Sequence, residues 1–220
     1  MNPIEFYRTT VGKKAIMAVT GILLLGFLVA HLLGNLTVYL GPEALNGYAQ
    51  KLRDLGELLW VMRIGLLTIF LLHIVTAMSL ARRNKKSRPI NYAVAANVQS
   101  TYASRTMVVS GLTILVYVGY HLSHFTFGWL HSSHRAGHDV YAMVVSSFQQ
   151  PGIAVAYILS MVLLCFHLSH GVAVFIQTLG LNRDIKSSHL QCMGRLFATV
   201  LSLGYASIPI AVQLGLVQLH

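Results

Sequence analysis

Five apolar stretches, Ala15–Leu40, Leu58–Ala81, Thr106–Leu130, Ile153–Gly180 and Leu196–Val217, take up most of this 220-residue chain, and each is long enough to cross a bilayer. Composition agrees: 55% hydrophobic and 10% charged residues with a mean hydropathy of +0.63 leave too few charges to coat a water-facing surface. A disordered chain, a disulfide scaffold and an ordinary cytosolic enzyme are excluded on that ground. The fold expected is an all-α membrane protein, a bundle of five transmembrane helices forming one domain over residues 1–220. The first stretch is too long for a removable signal peptide, and residues 1–14 offer no small-residue cleavage site where one is expected, so it reads as a permanent helix. Cys165 and Cys192 lie in or beside apolar runs and read as structural thiols.

The 16 Lys and Arg against 6 Asp and Glu give a net charge of +10. Sorted by loop, twelve of the sixteen fall on one side of the five spans, including Lys13, Lys14, the Arg82–Arg88 cluster, Arg105 and Arg195. The positive-inside rule therefore places the N-terminus in the cytoplasm and the C-terminus outside. No aromatic-interleaved basic patch accompanies the charge, so nucleic acid is not an expected partner. Two longer outer connections, 41–57 and 131–150, are edged by Pro42 and Pro151. In the second, Val140, Val144 and Phe148 share one face, as in a helix lying at the interface.

Histidine is the unusual residue. There are 11, and six lie within spans: His31, His73, His121, His124, His167 and His170. An ionisable group inside a membrane helix is costly and points to function by default. Counted from where each helix enters the membrane, His31, His73, His121 and His167 each sit roughly 24 Å deep at 1.5 Å per residue. Because the helices alternate in direction, His31 and His121 share an outer layer, and His73 and His167 an inner one. Paired imidazoles from facing helices are what six-coordinate haem b requires, and two layers imply two haems roughly 15–20 Å apart along the membrane normal. Gly26, Gly34, Gly111, Gly119 and Gly171 would let a flat macrocycle approach the backbone. The string His-Leu-Ser-His occurs at His121–His124 and at His167–His170, so either member of each pair can be the ligand by counting alone. A single histidine in a membrane helix serves as readily as a hydrogen bond to its neighbour. The spacing of His131, His134 and His138 resembles a metal site, but a solvated or headgroup-level loop is the better account of it.

Several segments carry a family resemblance: Gly12-Lys-Lys-Ala-Ile-Met-Ala-Val-Thr-Gly21, His31-Leu-Leu-Gly-Asn35 with Gly41-Pro-Glu and Asn46-Gly-Tyr-Ala49, and His167-Leu-Ser-His-Gly171 running into Gln177-Thr-Leu-Gly-Leu-Asn182. The chain resembles the single-chain, five-helix, two-haem cytochrome b anchor of bacterial succinate:menaquinone oxidoreductases and quinol:fumarate reductases. That resemblance implies that His31 and His121 ligate the distal haem iron and His73 and His167 the proximal one, the first member of each His-Leu-Ser-His being the ligand. It also implies partner subunits: a flavoprotein with FAD, where the dicarboxylate chemistry occurs, and an iron–sulfur protein. Some fumarate reductase anchors carry a glutamate two residues before the fourth-helix ligand; Cys165 stands there, which favours succinate oxidation.

On this reading electrons from succinate dehydrogenase pass through two haems b to menaquinone, a step of the tricarboxylic acid cycle. Arg63 suits the distal haem propionates, and Arg105, Arg195 and Gln177 the proximal ones. The same cations can instead be anchors snorkelling to headgroups. Glu43, Asp54, Glu57 and His124 are the candidates beside a quinone, whose reduction needs a proton donor; solvation of the outer loop is the alternative role of the carboxylates. Two rival readings are a two-haem anchor of another membrane dehydrogenase and a haem-free transporter.

Overall fold

The computed structural model describes residues 2–87, 102–130, 139–180 and 186–219. His131, His134, Arg135, His138, Arg88, Arg183 and His220 lie outside the described residues. Every regular element among those described is helical: α1 (Pro3–Arg8), α2 (Thr10–Leu36) running into a 3-10 turn (Thr37–Leu40), α3 (Pro42–Arg53), α4 (Glu57–Lys86), α5 (Tyr102–Arg105), α6 (Met107–His121) running into a π-helical turn (Leu122–Thr126), α7 (Val140–Phe148), α8 (Pro151–Thr178) and α9 (Ser187–Gln213). Five helical segments are long and apolar enough to span a membrane: Thr10–Leu40, Glu57–Lys86, Met107–Thr126, Pro151–Thr178 and Ser187–Gln213. The five expected spans are therefore present, with shifted ends. The fifth helix begins at Ser187, nine residues ahead of the apolar stretch, because hydropathy marks the hydrocarbon-crossing part of a helix and not its polar first turns.

α2, α4, α6 and α8 carry the intramembrane histidines. α2 packs against α4 and α8, α6 against α8, and α9 closes the bundle along α8 and α2, while α4 and α6 scarcely touch. Along α4, Thr76 is the one residue buried inside the protein, and the rest of the helix is exposed or half-buried. α2 and α4 run antiparallel in a register fixed by polar contacts: His73 meets Thr20, Ser79 meets Lys13, and Arg83 donates to Thr10 Oγ1 at 3.2 Å.

The end of the bundle away from the basic residues is sealed by short helices. Gly41, at φ 95°, turns the chain into α3, whose first residue is Pro42; a side chain at Gly41 would be strained in that left-handed region. Asp139 caps α7 by accepting from the Ala142 N–H at 2.9 Å, and the Asn46 amide ties α3 to this cap, donating to Asp139 Oδ1 at 2.9 Å and accepting from the Tyr141 N–H at 3.0 Å. Tyr48 packs onto Gly34 so closely that a Cβ there would lie 2.5 Å from its ring. α7 buries more than the single Val140–Val144–Phe148 face expected of an interfacial helix. Tyr141, Val144, Val145, Ser147 and Phe148 are all buried, and the helix plugs the space between α3 and the ends of α8 and α9.

Candidate functional site

The four histidines fall at two levels. At one, the His31 and His121 rings face each other with centroids 6.0 Å apart and planes at 86°. That spacing would leave room for one metal ion between the two rings at a nitrogen–metal distance of about 2.0 Å, so this pair could hold one. Phe27 stacks on His31 at 5.3 Å, Tyr205 lies 6.1 Å from it, and Tyr117 and Phe125 lie 5.8 Å and 5.6 Å from His121, giving the pair an aromatic surround.

At the other level, His73 Nδ1 lies 3.0 Å from Thr20 Oγ1 and His167 Nδ1 lies 3.3 Å from Ser110 Oγ. The Thr20 hydroxyl already donates to the Ile16 carbonyl at 2.7 Å, and the Ser110 hydroxyl to the Met107 carbonyl at 3.1 Å. Each hydroxyl has one hydrogen, so each accepts from the imidazole. Both histidines are thereby held as the Nδ1–H tautomer, with the Nε2 lone pair left to bind a metal. A hydrogen bond from the second nitrogen is the usual way a metal-ligating histidine is oriented. Gly21 and Gly111 lie beside these rings; a Cβ would sit 3.6 Å from His73 Cε1 and 3.4 Å from His167 Cε1.

The level spacing can be read along three helices. Thr20 to His31 on α2 and Ser110 to His121 on α6 are both eleven residues, and Tyr157, which contacts His121, is ten residues from His167 on α8. At 1.5 Å per residue the levels are about 16 Å apart. α2 and α6 share one pattern, a hydroxyl residue, a glycine, nine residues and a histidine, in Thr20-Gly21…His31 and Ser110-Gly111…His121. Sequence reading missed Thr20 and Ser110, although this repeated spacing was there to find.

The two His-Leu-Ser-His strings part company in three dimensions. At 167–170 the chain stays α-helical. After His121 it widens into the π turn, where the Phe127 N–H reaches the Leu122 carbonyl at 2.9 Å. His124 is thereby turned inward, 1% exposed, with Nδ1 3.0 Å from the Tyr157 hydroxyl and Nε2 3.1 Å from Ser147 Oγ. Ser147 donates to the Met143 carbonyl at 2.7 Å, so it accepts from His124 Nε2–H, and Tyr157 O–H then donates to His124 Nδ1. The Tyr157 oxygen is left to accept from His121 Nδ1–H at 3.4 Å. A directed chain thus runs from His121 through Tyr157, His124 and Ser147 to the backbone of α7. Both nitrogens of His124 are engaged, and it sits in the packed interior beside Phe125, ring centroids 4.1 Å apart.

The remaining sequence candidates lie at the periphery. Arg63 is exposed and stacks on Trp60 at 5.1 Å; Arg105 is exposed with its guanidinium 6.0 Å from the Tyr102 ring; Arg195 is exposed and donates to the Gln191 carbonyl at 3.3 Å; Gln177 is exposed in the last turn of α8. Glu43 and Glu57 are exposed in the first turns of α3 and α4, and Asp54 accepts from Gln50 at 2.7 Å. No hydrogen bond among the described residues joins any of these to the four histidines. Of the glycines, Gly34 is filled by Tyr48, Gly111 faces His167, Gly171 meets Met107, and Gly26 and Gly119 open onto free space, as a flat ligand would need. His170 is half-buried on α8, and Cys165 Sγ lies 3.8 Å from Thr199 Oγ1 on α9.

Residues 82–203 match the family described as the succinate dehydrogenase/fumarate reductase transmembrane subunit. The chain belongs to that family. The match covers α6, α8 and most of α9, and with them His121 and His167. Comparison with curated proteins and with solved structures returns no significant match. Membership makes this transmembrane subunit part of a succinate dehydrogenase/fumarate reductase complex.

Proposed function

We propose that this transmembrane subunit binds two haems b, one between His31 and His121 and one between His73 and His167, and carries electrons between an iron–sulfur subunit in the cytoplasm and menaquinone near the outer surface. The observation that carries the proposal is the division of four histidines from four helices between two levels, one level holding the facing His31 and His121 rings and the other two imidazoles each held by a buried hydroxyl in the metal-binding tautomer. Haem bound at each pair would supply a one-electron carrier. The chain's residues do the rest. Thr20 and Ser110 fix the rings of the inner pair, Tyr157 orients His121, and the aromatic surround of His31 and His121 keeps water out. His124, enclosed with both nitrogens bonded, is a positioning residue for the outer pair. That leaves Glu43, Asp54 and Glu57 as the candidates for delivering protons to a quinone.

The proposed orientation places the basic end in the cytoplasm, where the flavoprotein and iron–sulfur partners would dock, and the C-terminus outside. Succinate oxidation is the favoured direction, since Cys165 replaces the glutamate. The test is succinate-driven electron flow in membranes holding the assembled complex. Succinate should reduce a b-type absorption band, and His73→Ala should abolish transfer to a menaquinone analogue while leaving succinate oxidation with a soluble dye acceptor intact. Quinone reduction at an unchanged rate in that variant would contradict the proposal.

A further inference from the structure

At the basic end, Tyr7, Val75, Ser79, Arg82, Arg83 and Lys86 line a cleft of about 470 Å³ between the α1–α2 junction and the foot of α4. Behind it lies Lys13, 8% exposed, whose ammonium donates to Ser79 Oγ and stands 5.3 Å from the centre of the Tyr7 ring. Arg83 is pinned across the junction, donating to Thr10 Oγ1 at 3.2 Å and to the Arg8 carbonyl at 2.8 Å. The partners of Lys13 and Arg83 are therefore hydroxyls, a carbonyl and a ring, and none is a carboxylate. Among the described residues Glu43, Asp54, Glu57 and Asp139 belong to the opposite end of the bundle, and Glu5 is used in capping α1, accepting from the Asn2 N–H at 3.1 Å. Among the described residues this buried ammonium and the three cations beside it have no counter-charge, an arrangement that is costly in a low-dielectric setting and that an anion from outside the chain would relieve.

The shape of the cleft identifies that anion. Lys86 to Val75 is eleven residues, about 16 Å of helix, so the cleft climbs from the headgroup level well into hydrocarbon. Val75, 58% exposed, continues upward into exposed Leu71, Leu72 and Leu67 on the lipid-facing side of α4. A soluble subunit resting on the membrane surface cannot follow that wall, whereas an acyl chain can. We propose that this cleft binds one anionic phospholipid, its phosphate held by Arg82, Lys86 and the Tyr7 and Ser79 hydroxyls in the field of Lys13, with an acyl chain along Val75 and Leu71. The site is separate from the histidine pairs and does not depend on their reading.

The test is native mass spectrometry of the delipidated, assembled complex titrated with phosphatidylglycerol, or with phosphatidylcholine of the same chains, in the wild type and in Arg82→Gln/Lys86→Gln. The wild type should retain one phosphatidylglycerol in preference to phosphatidylcholine. The double variant, with far-UV circular dichroism unchanged, should hold it roughly thirty-fold more weakly, at about five-fold per charge. If the double variant fails to assemble, Lys86→Gln alone should show the five-fold step. Equal retention of the two lipids, or unchanged retention in a folded variant, would overturn the proposal. Displacement by equimolar inorganic phosphate would also overturn it, since the site would then belong to a soluble anion.

Discussion

The two kinds of histidine are separated by what their second nitrogen does. In His73, His121 and His167 Nδ1 is turned to a hydroxyl on a neighbouring helix, whereas in His124 both nitrogens are taken up inside the protein. Replacing His31, His73, His121 or His167 singly with alanine should therefore remove one haem each by optical spectroscopy, and His124→Ala or His170→Ala should leave two. Loss of a haem after His124→Ala, with both haems retained after His121→Ala, would invert the assignment within that pair. Thr20→Val and Ser110→Ala keep the ligands and remove their supports, so each should weaken haem retention by 10–100-fold, the usual effect of losing such a partner. Tyr157→Phe removes the hydroxyl that links His121 to His124 and should alter the outer haem's midpoint potential while the inner one keeps its value; equal shifts in both would show that the chain is not specific to the outer pair. The repeated hydroxyl-Gly spacing ahead of His31 and His121 is a sequence signal for Thr20 and Ser110, but the partner of each hydroxyl, and the role of Tyr157, depend on a register between helices that no single helix displays. The identical His-Leu-Ser-His strings show the same limit. Only the packing of Tyr157 and Ser147 around the π turn distinguishes them.

At the scale of elements, the short helices of the sealed end hold the long ones together. Gly34→Ala would push a Cβ to 2.5 Å from the Tyr48 ring, and overpacking of this kind costs about 1–3 kcal/mol. Thermal unfolding in detergent should show the loss, and Tyr48→Leu in the same chain should recover part of it. Asp139→Ala removes the α7 cap at a cost of about 1 kcal/mol. The Ala142 N–H, then the Asn46 amide, hold the Asp139 carboxyl below its ordinary range. A depressed folded-state pKa contributes stability above the unfolded value, and that contribution is lost as pH falls through the folded one. Acidification should therefore loosen α7 in the wild type, and Asp139→Asn should lose that part of the pH dependence. The helices themselves were legible: each span is a long apolar run, and Pro42 and Pro151 stand at the first positions of α3 and α8. Burial of α7 was not, because five buried residues among nine follow from the three neighbours that enclose it, and a helical wheel shows only its own stripe.

Across the whole molecule, α2, α6 and α8 each give nearly the same separation between the two levels, and depth counting in the sequence reaches it because every span is a continuous helix with a constant rise. Counting could not show that the rings of a pair face each other, which depends on how α2 turns toward α6. Nor could it show that α4 stays open toward α6 while α9 closes the other side. The arrangement places two pairs of histidines between the basic end and the sealed end, and family membership makes the chain one subunit of a larger complex. The direct measurement is a pyridine haemochrome count with a reduced-minus-oxidised spectrum on the purified, assembled complex. Two haems b per copy of this subunit are expected; no haem, or only one, in a complex that still oxidises succinate would contradict the two-haem assignment.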